Sequence, residues 1–323
     1  MGSSEDKLGK AVVARTLLPA GLTILEGRFE VEQGGLEVSR GELEVLVPGS
    51  TALIPDPSVQ VDGELLDLCG DELKVVSNFA VGYDNVDLEA CSARGVAVTN
   101  TPGVLTEATA ELALLLTLAA GRRASDAERD LRAGRWSGWD PAAYLGIELR
   151  DTTVGVIGLG RIGRRYAEMV SALGANVLYT ASSRKPEAEQ EFGFSWASLE
   201  ELLERSSVVS VHAPGGEETR AMIGRKEIDL IGPDGVLVNT SRGTLVDSEA
   251  VASALDEGRL GAAGLDVYEG EPAVPASLIG APRCVLLPHI GSATHISRDG
   301  MARMAAENAI AVVEGEEPAS RVV

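Results

Sequence analysis

The stretch Thr152-Thr-Val-Gly-Val-Ile-Gly-Leu-Gly-Arg-Ile-Gly163 decides the fold of this chain. An apolar run that predicts a strand leads into three glycines, and a helical pattern then continues to Leu173. In a strand–turn–helix unit, Gly158 would make the tight turn, Gly160 would let the backbone approach a pyrophosphate, and Gly163 would let the helix pack closely on the strand. A purely structural glycine turn is the alternative. The position between strand and helix favours a dinucleotide-binding α/β domain.

Strand and helix signals alternate on both sides of this stretch. Before it, strands are predicted at residues 51–55, 73–77 and 96–100, with a helix at 84–95. From it onward, strands are predicted near residues 152–157, 176–180, 207–211, 235–239, 262–267 and 284–287. Such alternation is typical of parallel α/β sheets, and the 323 residues suffice for two domains of this class.

Two further helices and an aromatic loop complete this organisation. The helix over about residues 105–123 has Ala and Leu on nearly all faces, so we expect it to be buried between domains or against another subunit. The loop Arg135-Trp-Ser-Gly-Trp-Asp-Pro-Ala-Ala-Tyr-Leu145 follows it. The tail over about residues 297–313 is predicted to be helical.

Charge and composition exclude several classes of protein. The chain has 28 basic and 49 acidic residues and a net charge of −21, so nucleic acid and anionic membrane surfaces are poor partners. Its apolar content of 45% is typical of a folded globular protein. Three single cysteines, at positions 69, 91 and 284, indicate neither a disulfide framework nor a zinc site. Because neither a signal-peptide pattern nor an apolar run of bilayer length occurs, we expect a cytoplasmic protein. We also expect no bound metal ion.

Arg242, Glu271 and His289 each follow an apolar run that predicts a strand. At neighbouring ends of a parallel sheet, an Arg, a carboxylate and an imidazole can bind an anionic substrate and transfer a proton. For His289 alone, a structural histidine is the alternative. His212 is expected in a loop near the cofactor, and His295 at the start of the tail helix. With the glycine turn, the three strand-end residues predict a dehydrogenase that acts on a small carboxylic acid.

The loop after the second strand of the dinucleotide domain bears on the choice of cofactor. In this fold an acidic residue usually binds the ribose hydroxyls there, but the sequence reads Thr180-Ala-Ser-Ser-Arg-Lys185 and contains no acid. The hydroxyls of Ser182 and Ser183, with Arg184 and Lys185, suit a 2′-phosphate, so NADP(H) is favoured over NAD(H). An ordinary solvated basic loop is the alternative.

Several motifs together resemble one family, the D-isomer-specific 2-hydroxyacid dehydrogenases. The matching stretches lie in order along nearly the whole chain: Asn78-Phe-Ala-Val-Gly-Tyr-Asp-Asn-Val-Asp87, Asn100-Thr-Pro-Gly-Val-Leu-Thr-Glu-Ala-Thr-Ala-Glu111, Gly158-Leu-Gly-Arg-Ile-Gly163, Asn239-Thr-Ser-Arg-Gly243, Gly264-Leu-Asp-Val267 with Glu271-Pro272, and Pro288-His-Ile-Gly-Ser-Ala-Thr294. Within the family, the chain is most similar to the glyoxylate and hydroxypyruvate reductases, through the loop around Trp136 and the segment that ends at Arg298.

The resemblance implies a fold of two doubly wound parallel-sheet domains. A Rossmann cofactor domain, residues 104–291, would be inserted in a discontinuous, flavodoxin-like substrate domain, residues 1–103 plus 292–323. It also implies a homodimer formed through the cofactor domains. In related reductases a Trp of the aromatic loop reaches the partner subunit's active site, and Trp139 occupies that position here, with packing at the dimer interface as the alternative.

The resemblance also implies a reaction and the residues that perform it. A 2-oxo acid, glyoxylate or hydroxypyruvate, would be reduced to the D-2-hydroxy acid, with Arg242 on the substrate, His289 as the acid and Glu271 orienting it. The residues implied to bind substrate are Val81, Gly82, Trp139, Arg242 and Ser292. The residues implied to bind cofactor are Thr109, Gly158, Gly160, Arg161, Ile162, Gly163, Ser182, Ser183, Arg184, Lys185, His212, Pro214, Thr219, Thr240 and Asp266. NADP-dependent relatives commonly carry an Arg where this chain has Ser182, so NAD(H) stays possible.

Other activities of this fold are alternatives. Oxidation of 3-phosphoglycerate, D-lactate or phosphite is less favoured, because we expect no C-terminal regulatory domain and residues 45–57 offer no basic side chains for a phosphorylated substrate. A dinucleotide-sensing binding protein is a remote alternative, which weak turnover and a peptide-binding surface would distinguish.

Overall fold

The computed structural model describes residues 7–323, which divide into two compact units. One comprises the described residues up to Leu105 together with Ser292–Val323, and the other is Thr106–Gly291. The first break comes two residues after the boundary predicted at 103/104. Val104 stays with the first unit because a Cβ at Gly300, in the tail, would lie 3.3 Å from the Val104 Cβ.

The first unit is a five-stranded parallel sheet with the strand order β2-β1-β3-β4-β5. Its strands are β1 (Lys10–Val13), β2 (Glu30–Gln33), β3 (Ser50–Ile54), β4 (Val75–Ser77) and β5 (Ala97–Thr99). Its helices are α1 (Pro19–Arg28), α2 (Arg40–Leu46), α3 (Gly63–Cys69), α4 (Leu88–Ala93) and α13 (His295–Glu314). The order 2-1-3-4-5 is the flavodoxin-like one, so the predicted class of this unit is confirmed.

The second unit is a seven-stranded parallel sheet with the strand order β12-β11-β10-β9-β6-β7-β8. Its strands are β6 (Thr153–Ile157), β7 (Asn176–Thr180), β8 (Ser195–Trp196), β9 (Val208–Val211), β10 (Val236–Asn239), β11 (Ala262–Leu265) and β12 (Cys284–Leu286). Its helices are α5 (Thr106–Gly121), α6 (Ala124–Arg132), α7 (Arg161–Ala172), α8 (Pro186–Phe192), α9 (Leu199–Arg205), α10 (Arg225–Ile231), α11 (Ser248–Asp256) and α12 (Ala276–Gly280).

The order of the second sheet reverses between β6 and β9, since the chain moves outward from β6 in one direction and from β9 in the other. In doubly wound sheets, ligands bind at the carboxyl ends of the strands beside such a switch point. The glycine turn follows β6 and the His212 loop follows β9, so both lie at this switch point. The predicted Rossmann class is confirmed.

Every strand predicted from apolar runs is present, with bounds that differ by at most two residues. The strands β3, β9, β10 and β11 are buried along their whole length, which is why they read as continuous apolar runs. The helix predicted at 84–95 is shorter, because the Asp87 carboxylate accepts a hydrogen bond from the Ala90 amide (2.8 Å) and starts α4 there.

The long helix α5 is buried on one side and exposed on others in the single chain, so its predicted burial between domains or against another subunit remains a prediction. Its Leu116 side packs on β11, where a Cβ at Gly264 would lie 3.0 Å from the Leu116 Cβ. On other faces Leu115 and Leu118 are 53% and 42% exposed in the single chain. None of the helices between residues 7 and 323 combines the length and apolarity that a bilayer crossing requires.

Candidate active site

The glycine turn after β6 has the geometry that its sequence predicts. Gly158 adopts φ +94°, and a Cβ on it would lie 2.8 Å from the Ala213 amide nitrogen. A Cβ on Gly163 would overlap the Gly158 carbonyl oxygen, so only glycine lets α7 pack this closely on the turn. A Cβ on Gly160 would meet no protein atom within 4 Å, so the backbone there is open to an incoming group. This cradle, at the first turn of α7, fits the pyrophosphate of a dinucleotide.

His212 packs against the glycine turn, where a Cβ at Gly163 would lie 3.1 Å from the His212 Cβ. Its Nε2 lies 2.8 Å from the Ser210 Oγ, and its ring centroid is 5.0 Å from that of the fully buried Tyr166. Burial lowers the pKa of His212 to about 3, so the imidazole is neutral at physiological pH. A neutral, packed imidazole suits the support of a loop better than proton donation. Tyr166 and Ser210 escaped the sequence analysis because neither belongs to a recognisable motif.

The loop after β9 is held by its own side chains. The Thr219 Oγ1 donates to the carbonyl oxygens of Pro214 (3.0 Å) and Gly216 (3.2 Å). The Ser241 hydroxyl donates to the Ala213 carbonyl oxygen and joins this loop to the one after β10. Pro214 is exposed, and it lies in the loop that follows β9 at the switch point.

The loop after β7 places the predicted phosphate-binding cations differently from expectation. Arg184 donates through Nε (2.8 Å) and Nη2 (3.0 Å) to the two carboxylate oxygens of Glu189 in α8. Lys185 Nζ donates to the Ser183 Oγ (3.0 Å). The Tyr179 hydroxyl donates to Glu189 Oε1 (2.7 Å). An acid is therefore present at the end of the second strand, but it is supplied from a helix further along the chain.

Arg242 lies in the loop after β10, which several contacts hold in place. The Asn239 side-chain amide donates to the Arg242 carbonyl oxygen (2.8 Å), and Arg242 Nη1 donates to the Ser241 carbonyl oxygen (2.8 Å). A Cβ at Gly215 would lie 3.1 Å from the Arg242 Cγ. A Cβ at Gly243 would overlap the Tyr268 backbone. The Arg242 loop is therefore pressed against the segment that leads to the glutamate.

His289 and Glu271 form a directly hydrogen-bonded pair. His289 Nδ1 lies 2.6 Å from Glu271 Oε2, and Glu271 Oε1 accepts from the Tyr268 amide (2.8 Å). Burial raises the pKa of Glu271, but the hydrogen bonds from His289 and Tyr268 outweigh it and the pKa is lowered overall. Because an ionised carboxylate can only accept, Nδ1 is the donor, and Nε2 is left to face a reactant.

Asp266 holds the loop that carries His289. It is fully buried, and its two carboxylate oxygens accept from the amides of Ile290 and Gly291 (2.8 Å each). Its carbonyl oxygen accepts from the His289 amide (2.9 Å). The Thr109 hydroxyl donates to the Gly291 carbonyl oxygen (3.2 Å), so this predicted cofactor ligand braces the same loop. Burial raises the pKa of Asp266 against the opposing effect of the two amides.

Thr240 begins the loop after β10, and its hydroxyl oxygen is buried without a hydrogen-bond partner among the described residues. An unsatisfied buried polar atom is uncommon and often marks a place that a ligand or water completes. With the open backbone at Gly160, it fits a cofactor seated along the carboxyl ends of the central strands. The cofactor-binding roles predicted for Thr240 and the other residues of this site, including Arg161, Ile162 and Ser182, remain predictions.

In the first unit, the segment predicted to bind the substrate carboxylate has its carbonyl groups pinned. The Asn100 amide donates to the Val81 carbonyl oxygen (2.7 Å), and the Asn78 amide donates to the Gly82 carbonyl oxygen (2.8 Å). Across residues 7–323, neither Val81 nor Gly82 uses its own N–H group in a hydrogen bond. Two fixed, unpaired amides are suited to an anion. Ser292 also belongs to this unit.

The aromatic loop of the second unit leaves its tryptophans in solvent. Trp139 is 84% exposed and Trp136 is 60% exposed. The base of the loop is ordered by Asp130, which accepts from the Tyr144 hydroxyl (2.6 Å) and from Arg135 Nε (2.9 Å). Among the described residues, no group of three or more His, Cys, Asp or Glu side chains is arranged to hold a metal ion.

Comparisons with known proteins identify a family and several similar proteins. The NAD binding domain of the D-isomer specific 2-hydroxyacid dehydrogenases matches residues 114–291. A glyoxylate reductase of Thermococcus litoralis is 46% identical over 275 residues, which cover 84% of this chain and 83% of that protein. A glyoxylate reductase of Thermococcus gammatolerans is 42% identical over 319 residues, which cover 97% of this chain and 95% of that protein.

Two solved structures are similar over nearly the whole chain. The TT0316 protein of Thermus thermophilus superposes with a TM-score of 0.91 at 42% identity, and the match covers 97% of this chain and all of that one. An NADPH-dependent glyoxylate/hydroxypyruvate reductase of Sinorhizobium meliloti, in complex with NADP and malonate, superposes with a TM-score of 0.87 at 34% identity. That match covers 98% of this chain and 97% of the other.

Proposed function

This chain belongs to the D-isomer specific 2-hydroxyacid dehydrogenase family, and from that premise we propose that it reduces a small 2-oxo acid, glyoxylate or hydroxypyruvate. It is an oxidoreductase that uses a nicotinamide dinucleotide. The observation that carries the proposal is the His289–Glu271 pair, in which Nδ1 lies 2.6 Å from Oε2. Both this pair and the glycine turn follow the carboxyl ends of strands in the same parallel sheet. The relatives named glyoxylate reductase support the substrate class.

His289 is the proton donor in this proposal. Its Nδ1 is committed to Glu271, so Nε2 is the atom that protonates the carbonyl oxygen of the substrate. The ionised Glu271 accepts the hydrogen bond from Nδ1 and so fixes the direction of the ring. The nicotinamide cofactor, when bound, supplies the hydride that the carbonyl carbon receives. In the reverse direction, the neutral imidazole accepts the hydroxyl proton.

Arg242 binds the substrate carboxylate and polarises the carbonyl group. A guanidinium matches a carboxylate with two parallel hydrogen bonds, and the packing of Gly215 on its side chain limits where it can point. The amides of Val81 and Gly82, in the other unit, are proposed as further ligands of the carboxylate, on the basis of the resemblance and their unpaired N–H groups.

A panel of 2-oxo acids tests the proposal directly. We expect glyoxylate and hydroxypyruvate to be reduced fastest, with oxidation of NADPH or NADH followed by absorbance. Because glycolate is achiral, the stereochemistry is read from the glycerate formed from hydroxypyruvate, which should be the D-isomer. Tight dinucleotide binding without turnover of any 2-oxo acid would favour a sensor, and faster oxidation of 3-phosphoglycerate or D-lactate would favour those substrates.

NADP(H) is the favoured cofactor in this proposal, because the loop after β7 presents Ser182, Ser183, Arg184 and Lys185. The ion pair of Arg184 with Glu189 reduces that preference, so substantial use of NADH is also expected. The ratio of kcat/KM for NADPH and NADH measures the preference. A higher kcat/KM for NADH would contradict it.

A cytoplasmic homodimer is proposed as the working form. Within residues 115–145 several large apolar side chains are exposed in the single chain, and they would offer a protein-binding surface where they lie side by side. The members are Leu115, Leu118, Leu131, Trp136, Trp139 and Leu145. Light scattering should give twice the chain mass, and Trp139→Ala should raise the KM for hydroxypyruvate if that side chain reaches the partner's site. A monomer with full activity would overturn the proposal.

A further inference from the structure

The ion pair between Arg184 and Glu189 directly opposes the predicted use of the loop after β7 (the β7 loop, residues 181–185). Arg184 is the residue offered to a 2′-phosphate, yet both of its contacts with Glu189 are charge-assisted hydrogen bonds. The side chain of Arg184 is 64% exposed, whereas that of Glu189 is 20% exposed. The cation is therefore accessible to a ligand, while its counter-ion is held against the protein.

Glu189 is fixed by contacts that do not involve Arg184. The hydroxyl of Tyr179, a residue of β7 whose side chain is fully buried, donates to Glu189 Oε1 at 2.7 Å. The same hydroxyl accepts from the Lys185 amide at 2.6 Å. Hydrogen bonds from Arg184 and Tyr179 lower the pKa of Glu189, so it carries a full negative charge at neutral pH. Tyr179 therefore holds this anion beside the loop independently of Arg184.

We propose that Glu189 is a specificity-determining residue, which offsets the charge of Arg184 and so limits the selectivity of the β7 loop for a 2′-phosphate. The inference rests on the proposed function only in taking the loop to face the adenosine ribose. With Glu189 ionised, Arg184 and Lys185 leave one net positive charge in the loop, and without it they leave two. A 2′-phosphate is sensitive to that difference, whereas an uncharged ribose hydroxyl is much less so.

The geometry favours a counter-ion role over a purely positioning role. A guanidinium has five N–H donors, and Glu189 accepts from only two of them, the Nε–H and one N–H of Nη2. The edge formed by Nη1 and Nη2 is thus still able to bind a phosphate while the pair is intact. Glu189→Gln can keep an oxygen at Oε1 for the Tyr179 hydroxyl and Arg184 Nε, while it removes the charge together with the acceptor of Arg184 Nη2. A counter-ion role predicts tighter NADP⁺ binding by Glu189→Gln, and a positioning role predicts weaker binding.

The experiment is equilibrium binding of NADP⁺ and NAD⁺ to the intact protein, by calorimetry or by quenching of tryptophan fluorescence. For Glu189→Gln we expect the Kd of NADP⁺ to fall about 3- to 10-fold, because the charge pair is partly exposed, while the Kd of NAD⁺ changes by less than about twofold. The ratio of kcat/KM for NADPH and NADH should rise by a similar factor. Arg184→Gln should weaken NADP⁺ alone, and in the Arg184→Gln background Glu189→Gln should have a smaller effect.

Glu191→Gln is the matched control. Glu191 lies on the same helix, pairs with Arg164 at 2.9 Å, and its substitution changes the net charge by the same amount. An equal gain in NADP⁺ binding by Glu191→Gln, or an unchanged or weaker NADP⁺ affinity for Glu189→Gln, would overturn the inference. Because binding is measured without substrate, the shift can occur even if no 2-oxo acid is reduced. The proposed function and this inference therefore fail separately.

Discussion

The two ends of the second sheet hold their functional loops with different kinds of contact. At the β11–β12 end, a fully buried Asp266 binds the backbone amides of the His289 loop, and Glu271 binds the imidazole directly. At the β7 end, Arg184 is held by the side chain of Glu189, close to solvent. Both sets of contacts lie at the carboxyl ends of strands that belong to the same parallel sheet.

The difference teaches which property each end can change. Backbone amides that donate to a buried carboxylate keep one geometry. Breaking these hydrogen bonds would leave buried polar groups unsatisfied, at a cost of about 1–3 kcal/mol each. An exposed ion pair contributes about 0–1 kcal/mol, so it can be exchanged with little loss of stability. We therefore propose that the β11–β12 end, through its buried Asp266, holds the geometry of the reaction, and that the exposed ion pair at the β7 end adjusts the choice of cofactor. Substitutions at the two ends can break this contrast.

Replacement of His289 should have the largest effect. His289 adopts φ +54°, a conformation that asparagine tolerates, so His289→Asn should leave the backbone intact. We expect kcat to fall about 10²- to 10⁴-fold with little change in cofactor affinity, because a positioned acid is lost. Steady-state kinetics and NADPH binding measure the two quantities. His295→Asn, an exposed histidine of α13, is the control and should keep near-normal turnover; a small effect of His289→Asn would remove the proposed acid.

Asp266 should contribute next, through stability as well as rate. Asp266→Ala leaves the amides of Ile290 and Gly291 without acceptors, so we expect a loss of about 2–5 kcal/mol in the free energy of unfolding. Asp266→Asn keeps one acceptor and should cost less. Urea unfolding without cofactor measures this effect apart from any contact with nicotinamide. Equal stability of the wild type and both variants would mean that the carboxylate does not hold the loop.

The strands at the β11–β12 end could be predicted from the sequence for a physical reason. Buried parallel strands need continuous apolar runs, so the polar residues Arg242, Glu271 and His289 stand out after β10, β11 and β12, and their catalytic roles remain predictions. Glycines that avoid backbone overlap are equally visible, as at Gly158 and Gly163. Both the class of the sheets and the strand series could therefore be predicted.

The exposed end could not be predicted in the same way. The contact of Arg184 with Glu189 depends on how the loop folds back on α8. The two residues are five positions apart, a spacing that matches neither helical nor strand periodicity, so the sequence pattern does not indicate the contact. The strands β1, β2 and β8 also escaped prediction. The apolar run of β1 (Lys10–Val13) is only three residues long, β2 (Glu30–Gln33) is mostly polar, and β8 (Ser195–Trp196) has only two residues. Edge elements and surface ion pairs depend on tertiary contacts that local pattern does not encode.

His212, beneath the glycine turn between the two ends, should give a smaller, pH-dependent effect. Burial lowers its folded-state pKa to about 3, against about 6.5 in an unfolded chain. Below about pH 6.5 the unfolded state therefore takes up a proton that the folded state does not, and stability falls as the pH falls towards about 3. Urea unfolding at about pH 7 and about pH 5 should show that the wild type loses about 1–2 kcal/mol more than His212→Gln.

The control for this linkage is His295→Gln, whose exposed side chain should leave the pH dependence of the wild type unchanged. Parallel pH dependences of the wild type and His212→Gln would mean that His212 is protonated normally in the folded protein. The turn would then resemble the exposed end more than the buried one.

Salt should have the smallest effect, and only at the exposed end. The Debye length falls from about 10 Å at about 0.1 M salt to about 3 Å at about 1 M, so the attraction between the loop cations and a 2′-phosphate is screened. We expect the ratio of kcat/KM for NADPH and NADH to fall severalfold over this range, with a steeper fall in Glu189→Gln and a shallower one in Arg184→Gln. The unfolding cost of Asp266→Ala should barely change, because its hydrogen bonds are buried. If salt changed both quantities equally, the contrast between a buried, fixed end and an exposed, adjustable end would be wrong.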